Sequence, residues 1–323
     1  MAARQAPLPD AMLLIRQGGA DAGGEDSYVC AQKPGSALVG VFDGCGGLGA
    51  RTYPDMGKHT GAYLSARAAS GAVWDWYQAL EQGALADPDR LTETLRARLD
   101  TALGVIGSRG SSPMRVRGSM VRDFPTTAAV ALAHRSPEGV TADLFWAGDS
   151  RVYLLDAAGL HQLTEDDVDG EDALSNLTHD AAMTNVIALD GNYTLHHRRL
   201  DLAQPGVVFA ATDGVFGYIR TPMELEWLLL RVLREAETPK QFADRLEEIL
   251  DEVAGDDFTL AWMSFGFGDF SALRETLTPR IPMLERDYVR PLHAARTDAL
   301  QAELWERYRR DYERAFTAKG GGA

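Results

Sequence analysis

The stretch from Ser36 to Gly49 reads S-A-L-V-G-V-F-D-G-C-G-G-L-G. A short apolar run, rich in β-capable residues, ends on one acid, Asp43. It then breaks into glycines at Gly44, Gly46, Gly47 and Gly49. A continuous apolar run of this kind fits a strand covered on both faces. The glycines let the backbone beyond it approach neighbours closely. One Asp-Gly pair by itself is an ordinary turn, but this arrangement recurs. Apolar runs also meet acids in G-G-E-D-S-Y-V (Glu25, Asp26), V-V-F-A-A-T-D-G (Asp213) and A-G-D-D-F-T-L (Asp256, Asp257). L-F-W-A-G-D-S-R puts Asp149 in a tight turn between two strands. Carboxylates brought together at strand ends repel one another unless cations join them. An all-oxygen donor set suits Mg²⁺ or Mn²⁺. No Cys/His spacing supports zinc.

The rest of the pattern predicts how the strands are arranged. Short strands at A-M-L-L-I-R, S-Y-V-C-A-Q and S-A-L-V-G-V-F come first. Helical spacing follows over Thr60–Ala69, Val73–Leu80 and Asp89–Ile106, the last with Leu91, Leu95, Leu99 and Leu103 on one face. Residues 107–122 read as a loop with four arginines and no acid. Strands resume at T-T-A-A-V-A-L-A-H, V-T-A-D-L-F-W-A-G and R-V-Y-L-L, and again at L-H-H-R-R-L-D-L and G-V-V-F-A-A-T. Two helices start at Thr221-Pro222 and Thr238-Pro239, each with an N-cap threonine and a first-turn proline. F-T-L-A-W-M-S-F is the last strand. Strands and helices in separate blocks imply an α+β fold of stacked antiparallel sheets with helices outside. Residues 1–282 form the predicted main domain. Residues 283–323 form a C-terminal amphipathic helical extension, with Leu300, Leu304, Tyr308, Tyr312 and Phe316 at helical spacing. Three uses are open to it: covering a core edge, dimerising, or binding a kinase or scaffold.

Composition narrows the function. The 323-residue chain carries a formal charge of −15, which argues against nucleic-acid binding and against docking on an anionic membrane. Its two cysteines form no disulfide framework. No apolar run approaches the roughly 18 residues of a membrane helix. A cytoplasmic setting is the expectation.

In this order, G-E-D-S, V-G-V-F-D-G-C-G-G, F-P-T-T-A, W-A-G-D-S-R-V-Y-L-L, H-Q-L-T-E-D, V-F-A-A-T-D-G-V-F and G-D-D-F-T-L resemble the motifs of the metal-dependent protein phosphatases of the 2C type (PPM). The resemblance covers about residues 12–266. It implies an αββα sandwich and hydrolysis of phosphoserine or phosphothreonine in proteins, with a cognate kinase as the opposing enzyme. It also implies two Mg²⁺ or Mn²⁺ ions at one end of the sandwich. By motif, Asp43 would bridge both ions and the Gly44 carbonyl would bind one. Asp213 and Asp256 would complete the other. Glu25 and Asp26 would hold metal-bound waters, and Asp149 with Asp213 would take a third ion. A hydroxide between the ions would attack phosphorus in line. The sequence departs from the family in three places. Asp21 stands where many members have a phosphate-holding Arg, Cys45 where animal members have His, and Gly217 where an acid is common. Arg122 is the favoured replacement cation, ahead of Arg51 and Lys58. These departures leave an alternative, a pseudophosphatase that binds a partner without turnover. A hydrolase of small phosphoesters would share the chemistry. His196 and His197 read as satisfied residues, and Cys45 as a small residue filling a tight loop.

Overall fold

The computed structural model describes residues 8–17, 24–110, 123–137, 139–169, 174, 182–202, 205–294 and 297–317. Two five-stranded antiparallel sheets make its centre. One has the order β1 (Ala11–Arg16), β12 (Thr259–Phe265), β11 (Gly206–Ala211), β8 (Arg151–Asp156), β9 (Gly159–Gln162). The other runs β10 (His196–Leu202), β7 (Gly139–Ala147), β6 (Ala128–Ser136), β3 (Ser36–Phe42), β2 (Ser27–Lys33). A small ribbon, β4 (Thr52–Tyr53) with β5 (His59–Thr60), follows the glycine loop.

Strand periodicity sorts the side chains into three apolar layers. On β3, Leu38 and Phe42 face the outer helices while Ala37, Val39 and Val41 face the other sheet. On β11, Val207, Phe209 and Ala211 face outward and Val208 and Ala210 inward. The layer between the sheets is rich in alanine, with Ala129, Ala131, Ala133, Ala142, Ala210 and Ala261 all 0% exposed. Small side chains let the two sheets approach closely. Helices α1 (Gly61–Ala79) and α2 (Pro88–Arg109) cover one outer face. Helices α3 (Pro222–Glu235), α4 (Pro239–Val253), α5 (Phe270–Leu277) and α6 (Asp298–Tyr312) cover the other. Cutting a buried aromatic such as Phe209 to alanine would cost about 3–5 kcal/mol.

The helix starts follow the sequence signals. Thr221 Oγ1 accepts from Glu224 N and Thr238 Oγ1 from Gln241 N, with proline in the first turn of each helix. The C-terminal helices begin earlier than the amphipathic pattern suggested, at Phe270. The apolar stripe of α6 lies on this chain's own core: Leu304, Trp305, Tyr308 and Tyr312 are buried against it. Two polar clamps hold it there. Tyr308 donates to Glu226 Oε2 at 2.6 Å, and Arg280 also engages that fully buried carboxylate. Two residues beyond the end of α6, Arg314 reaches Asp156 Oδ2 at 3.0 Å. Among the described residues, no helix is long and apolar enough to cross a membrane.

Candidate active site

Register brings the acids to one end of the sandwich. The start of β2 pairs with the end of β3, Ser27 opposite Phe42. The start of β6 pairs with the end of β7, Ala128 opposite Ala147. In the other sheet the end of β11, at Ala211, lies beside Arg151 of β8 and Leu260 of β12. Asp26, Asp43, Asp149, Asp213 and Asp256–Asp257 adjoin these strand termini.

Hydroxyls from neighbouring turns lock these acids. Asp43 N donates to Thr127 Oγ1 at 3.0 Å, and Thr127 Oγ1 shares a 2.7 Å hydrogen bond with Ser150 Oγ, beside Asp149. The Asp43 carbonyl accepts from Thr126 Oγ1 at 2.9 Å and Thr127 N at 2.8 Å. The P-T-T stretch therefore fixes the backbone of the D-G-C turn. Across the cluster, Thr212 Oγ1 donates to Asp26 Oδ2 at 2.8 Å and accepts from Thr259 N at 2.9 Å. Glu25 is held twice. Its N–H donates to Asp257 Oδ2 at 2.7 Å, and its carboxylate accepts from Thr60 Oγ1, the N-cap of α1.

Two glycines have no substitute here. A Cβ on Gly44 would sit 2.5 Å from the Ala62 carbonyl oxygen, and one on Gly214 would overlap the Asp257 carbonyl. Gly148 makes the Asp149 turn with φ +97, the left-handed region that glycine accepts without strain.

The electrostatics are those of crowded carboxylates. Burial pushes Asp26 up to about 7, and the charges of Asp257 and Asp213 add to it, while the Thr212 hydroxyl that donates to Oδ2 opposes it. Burial likewise raises Asp149 to about 7, with Asp213 and Asp166 adding and Arg151 opposing. Asp43 is held well above the usual range by burial, then by Asp213, Asp26, Asp149 and Asp256. Asp213 is raised by burial and by Asp256. Asp26 Oδ1 and Asp149 Oδ1 are buried without a hydrogen-bond partner among the described residues. A buried, unpartnered carboxylate oxygen is costly unless a water or cation completes it. This donor chemistry fits a hard cation. Among the described residues, however, no group of three or more His, Cys, Asp or Glu side chains forms a ready-made metal cage.

Arg151 stands behind the cluster. It is 1% exposed, forks onto Asp166 at 2.9 and 2.6 Å, and lies 4.2 Å over the Phe216 ring. Its charge pulls Asp149 and Asp213 downward. Sequence reasoning had not assigned this role, nor those of Thr60, Thr127, Thr212 and Asp257.

The other candidates fall as follows. Asp256 is exposed, and its Oδ1 accepts from Asp257 N at 2.8 Å. Arg122 lies outside the described residues. Arg51 sits 3.9 Å from Asp123 Oδ1, and Lys58 occupies the β4–β5 turn at φ 62. Cys45 is buried, its thiol pushed well up by burial and then by Asp43, so it is no ready thiolate. His197 Nε2 lies 2.8 Å from Asp143 Oδ1 and His196 Nε2 2.9 Å from Asp167 Oδ1, so both are satisfied as expected.

No protein-family model and no curated protein matches this chain. Solved structures do. The serine/threonine phosphatase Stp1 from Staphylococcus aureus is 14% identical, with a TM-score of 0.57 over 79% of this chain and 94% of its own. The Mycobacterium tuberculosis serine/threonine phosphatase PstP/Ppp is 18% identical, with a TM-score of 0.53 over 79% and 98%. PppA of Pseudomonas aeruginosa, described as a key regulatory component of T6SS, is 19% identical, with a TM-score of 0.52 over 79% and 97%. Sheet order, strand-end acids and these superpositions agree: the chain has the fold of the bacterial PPM serine/threonine phosphatases.

Proposed function

We propose that this chain is a metal-dependent serine/threonine protein phosphatase, a hydrolase that removes phosphate from phosphoserine and phosphothreonine in proteins. The observation that supports it most is the set of acids gathered at one end of the sandwich on turns fixed by threonine hydroxyls, with two buried carboxylate oxygens lacking partners. Two of its fold neighbours, Stp1 and PstP/Ppp, are serine/threonine phosphatases, which favours the same reading.

The donor set suits Mg²⁺ or Mn²⁺. Mg²⁺ in particular commonly keeps several of its own waters when bound. Asp43, the Gly44 carbonyl, Asp213 and Asp256 would hold two ions, and Asp149 with Asp213 a third. When bound, these ions supply Lewis acidity and charge neutralisation at a phosphoryl group. The chain's own part is preorganisation. The Asp43 turn is fixed on both its N–H and its carbonyl, so its carboxylate is presented without reorganisation. Asp26, whose Oδ1 is buried without a partner, would accept hydrogen bonds from metal-bound waters, and the Thr60 and Asp257 contacts would hold Glu25 for the same task. Arg122, assigned on sequence position alone, would hold the substrate phosphate in its planar fork. Residues 1–282 would be the catalytic unit and residues 283–323 its C-terminal helical extension. A cytoplasmic setting and an opposing kinase complete the proposal.

The test is phosphate release from a phosphothreonine peptide with Mn²⁺ or Mg²⁺. Release that chelator and Asp43→Asn both abolish is the expected result. No release by folded, metal-saturated protein would contradict it and favour a pseudophosphatase that works as a binding module.

A further inference from the structure

Tyr218 is one of four large apolar side chains left well exposed among the described residues, at 48%. Its setting is built. The turn that carries it follows the short helix Asp213–Phe216, where Gly217 N donates to the Asp213 carbonyl at 2.6 Å and Ile219 N to the Phe216 carbonyl at 3.0 Å. Phe216 is buried in the core beneath Arg151, and Ile219 packs against the same core. With both flanks anchored, the backbone at Tyr218 is fixed and its side chain is about half exposed, at 48%.

Its ring rests on Gly255, the residue just before Asp256. A Cβ at Gly255 would lie 2.8 Å from Tyr218 Cε1 and 3.0 Å from its Cζ and hydroxyl oxygen. Gly255 has no positive φ, and its missing Cβ leaves the room that the ring occupies. Partial burial, then the charges of Asp256 and Asp213, raise the phenol, as expected for a ring between those two turns. Val253, also exposed at 47%, lies two residues before Gly255. The acid cluster thus has a fixed aromatic rim on its Asp213–Asp256 side.

We propose that Tyr218 is a specificity-determining residue. It would offer its ring to an apolar or aromatic side chain flanking the phosphorylated residue of a protein substrate. This rests on the phosphatase reading, and the cluster would take the phosphate while the flanking chain crosses the rim. A flat amphipathic ring with few rotamers favours such contacts at low entropic cost.

The experiment compares kcat/KM for two phosphothreonine peptides, one with leucine and phenylalanine beside the phosphoresidue and one with glycine at those positions. Wild type should prefer the apolar peptide about fivefold, the size of one aromatic contact. Tyr218→Ala should bring the ratio close to one, and Tyr218→Phe should keep it. A wild type without preference, or a Tyr218→Ala variant that retains it, would overturn the assignment while leaving the phosphatase standing. If wild type released phosphate from neither peptide, the phosphatase reading itself would fall, and this assignment with it.

Discussion

The Thr212 hydroxyl joins two acid-bearing turns, and its removal is the most informative small change available. Thr212→Val keeps shape and volume and replaces one hydroxyl by a methyl. Two buried groups lose partners: Asp26 Oδ2, which Thr212 donates to at 2.8 Å, and Thr259 N–H, which donates to Thr212 at 2.9 Å. Asp26 is 2% exposed, and Thr212 and Thr259 are 0%. Each orphaned group costs about 1–3 kcal/mol, and the added methyl returns under about 1 kcal/mol. The net loss should be about 1–5 kcal/mol. Its pH dependence has a definite sign. The folded-state pKa of Asp26 is raised from 3.8 to about 7. Metal-free folded protein therefore holds this proton more tightly than unfolded chain, and this group's contribution to stability falls as pH rises through that window. The lost hydrogen bond favours the charged carboxylate, so the variant's penalty should be larger above about pH 7 than near pH 5. Urea unfolding in chelator, with an unchanged m value, measures it. A loss below about 0.5 kcal/mol at both pH values would refute the idea that this hydroxyl locks the cluster.

Two further predictions concern polar sites away from the acids. Asp143 is fully buried. Burial would raise it, but hydrogen bonds from His134, His197 and Arg199 outweigh that and hold it below the usual carboxylate range. Asp143→Asn removes the charge and turns one of the two acceptor oxygens into a donor that faces other donors, and should cost about 3–5 kcal/mol in urea unfolding; a loss below about 1 kcal/mol would contradict this. Asp156 is held at about 2, because the His161 hydrogen bond and charge, Ala158 N and Arg314 together outweigh its burial. A depressed carboxylate stabilises above the unfolded value of 3.8, and that stability is lost as pH falls toward 2. Against Asp156→Asn, wild type should lose about 1–2 kcal/mol over that window, after a discount for Arg314, whose side chain is 44% exposed; parallel acid-unfolding curves would contradict it.

Much of the fold could be read from the chain because its signals are local. Leu38 and Phe42 alternate with Val39 and Val41, and that period alone sorts two faces of a sheet. Thr221-Pro222 and Thr238-Pro239 announce helix starts within four residues. The acids stood out because a charge closing an apolar run is conspicuous. What held them did not stand out. Thr212 and Asp26 are 186 positions apart, and Glu25 and Asp257 are 232 apart. No local pattern marks a threonine whose partner lies across the sandwich. The stripe on α6 was plain, but its target was not. Glu226 reads as one more acid on α3 until the structure buries it beneath Tyr308 and Arg280. Gly255 and Tyr218 likewise explain each other only once they touch.

The central claim is that the strand-end carboxylates form a cation site. Titration of Mn²⁺ into the metal-free protein, followed by electron paramagnetic resonance of the free ion, tests it without requiring turnover. The account predicts saturable binding that Asp43→Asn and Asp213→Asn each weaken at least about tenfold, the effect expected of lost ligands. Binding that is absent in wild type, or unchanged in both variants, would contradict it.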